Sequence, residues 1–176
     1  MISGSSMFSY LLGKYIIKEE VRTQLMNAIT NYESDINTRM KIDDINISNY
    51  NVALETAIKH IEYADQILAW VQHLKLKIKM SKHILEKRLN TETILVTNEI
   101  ENCQEIALLT TKTEKTSKKA FMLKEKLIKE QQDYDDAKID YETIEVFVNE
   151  CINAREARYA YYQAVKQIRL DIQQVN

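Results

Sequence analysis

Apolar residues recur every three or four positions along most of the chain. The clearest run starts after Ser48. Leu54, Ala57, Ile61, Ala64, Leu68, Val71, Leu74, Ile78, Ser81, Leu85 and Leu89 share one helical face. The stripe continues more weakly through Val96, Ile100, Cys103 and Ala107. A second stripe runs from Leu123 and Leu127 through Tyr134, Ala137, Tyr141, Ile144, Val148, Ile152, Tyr159, Tyr162, Val165 and Ile168 to Ile172. Stripes this long predict a coiled-coil seam or the inward faces of long bundle helices. Residues 6 to 40 predict a further, less regular helix, with Ser5 or Ser6 as its cap.

Polar runs punctuate the pattern. Residues 41 to 51 (KIDDINISNYN) are rich in Asp, Asn and Ser, which bond to local backbone outside helices, and they predict a linker with Ser48 as the next N-cap. The segment NTETILVTN at 90 to 98 has low helix propensity and predicts a kink or fray. Residues 110 to 119 (TTKTEKTSKK) contain no apolar side chain, and Thr111 followed by Glu114 matches a capping box. A turn at about 110 to 113 therefore separates two arms, 48 to 109 and 114 to 175, each of 62 residues. The domain division expected is an N-terminal helical segment and linker at 1–47 and a long hairpin at 48–176.

Composition supports this reading. The 176 residues include two glycines, Gly4 and Gly13, and no proline. Sheet-rich folds draw on both residue types for tight turns, so the expected class is all-α. The architecture expected is a long antiparallel helical hairpin with a shorter N-terminal helix, closed as a three-helix or oligomeric bundle.

Charge predicts the pairing. With the turn near 111 to 112, residue i faces residue 223 − i. Residues 130–150 carry eight acids and one lysine; their facing window, 73–93, carries six cations and two glutamates. Residues 112–129 hold seven lysines and two glutamates, opposite 94–111 with three glutamates and no cation. Residues 155–169 are net +3, opposite 54–68 at net −2. An antiparallel register makes all three windows complementary.

Candidate chemistry is sparse. His60, His73 and His83 lack the Glu-x-x-His spacing of di-iron bundles. Cys103 and Cys151 have no metal or nucleophile spacing, and the hairpin register keeps them apart, so both read as free seam residues in a reducing, intracellular compartment. The cluster Asp133, Asp135, Asp136 and Asp140 lacks the glycine and terminal Glu of a calcium loop. No cofactor or metal is expected, and the chain reads as a non-enzyme. The net charge of −2 gives no general attraction to nucleic acid. The apolar stretch 7 to 17 is too short to cross a bilayer, for which about 20 residues are needed, and it lacks the basic flank of a signal peptide.

Two surfaces stand out for interaction. One is aromatic, with Tyr141, Tyr159, Tyr162 and Val165 on the second arm; the other is the basic tip, with Lys112, Lys115, Lys118 and Lys119. Tyr141, Phe147, Val148, Tyr159 and Tyr162 are expected to lie partly open on a monomer and to favour a homo-oligomer. The stretches DYDDAK (133–138) and ARYAYYQAV (157–165) are similar to segments of BAR-type membrane-curving domains, which are dimers of three long helices. Here the two stretches lie too close together to occupy different long helices, and the acidic 133–150 region opposes an anionic membrane. The function expected is a rod-like scaffold or adaptor subunit working through helix–helix protein contacts. The alternative is a membrane-remodelling or membrane-inserting helical protein that uses the apolar N-terminus or the basic tip.

Overall fold

The computed structural model describes residues 5–16, 18–37 and 48–175. It is all-α, 92% helical, with no strand among the described residues. Six helices follow in order: α1 (Ser5–Tyr15), α2 (Glu19–Asn37), α3 (Tyr50–Glu101), α4 (Gln104–Ala107), α5 (Lys112–Lys126) and α6 (Ile128–Val175). The long helices α3 and α6 pack against each other as an antiparallel hairpin. The chain divides into two compact units. One is Met1–Leu76 with Thr143–Asn176, and the other is Lys77–Glu142.

The first unit holds α1 and α2 together with the adjoining parts of α3 and α6. Phe8, Leu11, Leu12 and Ile16 are buried at the i, i+3, i+4, i+8 spacing of one helical face. The same unit also buries Ala57, Ala64, Ile67, Val71 and Leu74 of α3, and Ile144, Phe147, Val148, Cys151 and Val165 of α6. Each fully buried aliphatic or Phe side chain contributes about 1.5–3 kcal/mol. From α2, Ala28 accepts a hydrogen bond through its carbonyl from the Tyr63 hydroxyl of α3.

The single helix expected over 6 to 40 is two helices. α1 closes on Lys14 in its last turn, and α2 opens with Glu19 and Glu20 in its first. Cations favour a helix C-terminus and carboxylates an N-terminus, so the charge order suits a break between them. The linker expected from 41 lies outside the described residues up to position 47. α3 starts at Tyr50, and the Asn49 carbonyl accepts the first turn's bond from the Ala53 N–H at 2.9 Å. Asn49 thus precedes the first helical residue, one position after the Ser48 that the sequence predicts as cap.

In the second unit α3 runs unbroken through 90 to 98, without a fray there. Thr91, Thr93 and Thr97 each donate a hydroxyl hydrogen bond to the carbonyl four residues back. Their polar groups are thus satisfied inside the helix. α3 stops at Glu101, eight residues before the predicted end of the arm. Asn102 donates its side-chain amide to the Asn98 carbonyl, and the Cys103 N–H turns to Ile100. The short α4 then folds Ile106 onto Val96, Ile100 and Leu127, with Cys103, Leu109, Met122 and Leu123 packed around them. Burial of Ile106 is what the early stop achieves.

α5 begins with the capping box that the spacing predicts. The Thr111 hydroxyl accepts from the Glu114 N–H at 3.2 Å, and the Glu114 carboxylate accepts from the Thr111 N–H at 3.3 Å. The second arm is interrupted once, at Leu127, where φ is −102° and ψ is 6°. The ladder still crosses this point, because Leu127 N–H bonds Leu123 and Gln131 N–H bonds the Leu127 carbonyl.

Candidate interaction surface

Ion pairs occur in each of the three charge windows. Arg155 pairs with Asp65. Lys75 meets Glu145 at 2.8 Å, and Arg88 meets Glu130 at 3.1 Å. Near the tip, Lys126 meets Glu99 at 2.7 Å, Lys118 meets Glu105 at 3.5 Å and Lys119 meets Glu101 at 3.8 Å. The paired numbers total 218 to 225, around the predicted 223. Exposed pairs of this kind contribute only about 0.2–1 kcal/mol each, so they set register more than stability.

The expected aromatic surface is divided between core and solvent. Val165 is fully buried within the chain and offers nothing to a partner. Phe147 and Val148, expected to be partly open, are also buried. The Phe8 ring of α1 lies 5.0 Å from the Phe147 ring, tilted by 45°. The apolar N-terminal segment therefore covers the seam where an exposed patch was expected. Tyr141 is half-buried beneath the Lys82 ammonium, 4.7 Å from the ring centroid. Tyr159 remains 50% exposed, and its ring lies 6.1 Å from that of half-buried Tyr162. Lys166 sits over the Tyr162 ring at 5.3 Å. Burial raises the pKa of the neighbouring Tyr161 hydroxyl.

At the basic tip, Lys118 and Lys119 are drawn into ion pairs with Glu105 and Glu101. Lys112 is exposed and Lys115 half-buried. The four lysines lie on α5 in the second unit, and Tyr159 and Tyr162 on the part of α6 that belongs to the first.

The two cysteines are free, with Cys151 buried and Cys103 partly so. Burial, and then the charge of Glu150, push the Cys151 thiol up to about 11. The four aspartates do not converge: Asp140 is buried, while Asp135 and Asp136 are exposed. Among the described residues no group of three His, Cys, Asp or Glu side chains is placed to hold a metal ion. No helix among them is long and apolar enough to cross a membrane.

The sequence reading missed a groove of about 790 Å³ in the second unit. Leu89 and Thr93 of α3 form one wall, and Leu123, Leu127 and Ile128 the other. Lys124 and Asp135 stand along the second wall on either side of Ile128. The signal was the adjacent pair Leu127–Ile128, an apolar step out of phase with a three-or-four stripe. No known protein family, curated protein or solved structure matches the chain.

Proposed function

We propose that the protein is a non-catalytic scaffold or adaptor subunit that binds other protein, including further copies of itself, through outward helix faces. The observation that carries this reading is the apolar character of those faces in the second unit. Met80 and Ile84 lie one turn apart on α3 and are 59% and 64% exposed. Ile128 and Ile139 lie about three turns apart on one face of α6, at 64% and 56%. Apolar side chains repeated on solvent faces are the anchors that helix–helix interfaces use. Two free thiols suit a reducing compartment.

Membrane insertion through the apolar stretch 7 to 17 is the competing reading. It would have to withdraw Phe8, Leu11 and Leu12 from the core, where they are almost wholly buried. Light scattering tests the scaffold reading. The wild-type chain should form a larger species at micromolar concentration, and Ile84→Asp or Ile139→Asp should reduce it with the helical signal retained. A monomer at high micromolar concentration that floats with anionic liposomes would overturn it in favour of the membrane.

A further inference from the structure

We infer that the groove face between α3 and the α5–α6 junction is an isologous interface, packed against the same face of a second copy in antiparallel orientation. This rests on the scaffold reading and names its partner and its surface. The apolar lining comes first. Ile128 is largely exposed, and Leu89 and Leu123 are only half-buried, so the wall beside buried Leu127 is incompletely covered by its own chain. A helical surface with this lining takes another apolar helix face.

Charge selects the occupant. Along the first strand of the hairpin, residues 77–93 hold five cations and two acids, and residues 94–111 hold three acids and no cation. The sign thus changes from +3 to −3. Along the second strand, 112–129 are +5, and 130–142 are −5 with six acids and one lysine. Both strands reverse sign at the level of the groove. Glu99, Glu101 and Glu105 are already paired within the chain, so the charge left for a partner is that of both strands together: +2 for 94–129 and −2 for 77–93 with 130–142. A two-fold axis lying across the helices at that level lays each half on its opposite. A surface that complements itself under two-fold rotation is what an isologous dimer needs.

The groove wall repeats the pattern at residue scale. Lys124 and Asp135 lie symmetrically about position 129–130, where the sign changes. The rotation brings Lys124 of one copy to Asp135 of the other, twice per dimer, with Ile128 near the axis. Within its own chain Asp135 accepts from the Gln131 side chain at 3.0 and 3.1 Å, which leaves the carboxylate charge in place for an incoming ammonium.

Sedimentation equilibrium on the full chain under reducing conditions tests this. The wild type should be a dimer. Lys124→Glu and Asp135→Lys should each raise the dissociation constant about tenfold or more, because each places like charges together twice. The double variant carrying both changes should return to within about threefold of wild type, since the swap restores the pairing. Ile128→Asp should give monomer with its helical signal intact. A dimer indifferent to Lys124→Glu and Ile128→Asp would overturn the groove and leave the scaffold reading standing on another face. Single variants that weaken the dimer without recovery in the double would overturn the antiparallel arrangement. A monomeric wild type would overturn self-association altogether.

Discussion

Phe8 and Phe147 meet ring to ring, 5.0 Å apart at 45°, and this contact joins α1 to the long helix α6. Phe8 is fully buried and Phe147 nearly so. The tilted arrangement suits the positive edge and negative face of aromatic rings.

Phe8→Ala should therefore cost about 3–5 kcal/mol of stability, read as a lower urea midpoint. The double variant with Phe147→Ala should cost less than the two single losses together, with a coupling of about 0.5–1.5 kcal/mol. Strict additivity would show that the rings do not share one contact.

Lys75 and Glu145 meet across α3 and α6 within the first unit. Lys75→Cys combined with Glu145→Cys, in a background with Cys103 and Cys151 replaced by Ser, should link within one chain through a short bismaleimide. The product should run as a monomer on a denaturing gel. Links found only between chains would contradict the hairpin register.

Thr111 caps α5 through both halves of a capping box. Thr111→Ala should destabilise the second unit by about 1 kcal/mol, and Thr111→Ser by much less. Amide exchange in the first turn of α5 should accelerate in the Ala variant. Unchanged protection there would remove the capping role.

Cys151 supplies a pH dependence. Its thiol is held up to about 11 in the folded chain against an ordinary value of 9.0. Between those values the unfolded chain gives up this proton and the folded chain keeps it. Folding stability should then fall as pH rises from about 9 toward 11, by about 2 kcal/mol in all. Cys151→Ala should lose this component of the alkaline decline. The wild-type thiol should also react with a maleimide at pH 8 only as fast as the chain opens.

The all-α class and the antiparallel pairing were legible in the sequence because each is written in a local or linear property. Missing proline, scarce glycine and a sustained three-or-four stripe dictate helices wherever they fold. The run of charges along each arm dictates which register places opposite signs together, and Arg155–Asp65, Lys75–Glu145 and Lys126–Glu99 occur where that rule puts them. Thr111 and Glu114 could be read as a cap because the capping box is a contact between residues three apart.

Other features depended on contacts between residues far apart in the chain. α3 ends at Glu101 because Ile106 gains burial by folding back on Val96, Ile100 and Leu127. Periodicity could not reveal that, since Cys103 and Ala107 continue the same stripe. In the sequence Phe147 reads as partly open and Val165 as part of an interaction surface, yet both are buried. For Phe147 the covering ring comes from Phe8, 139 positions away. The Leu123–Leu127–Ile128 groove likewise exists only because α3 stands opposite the junction of α5 and α6. Helical type follows from short-range propensity and pattern; which apolar face is covered, and by what, is decided by packing between distant residues.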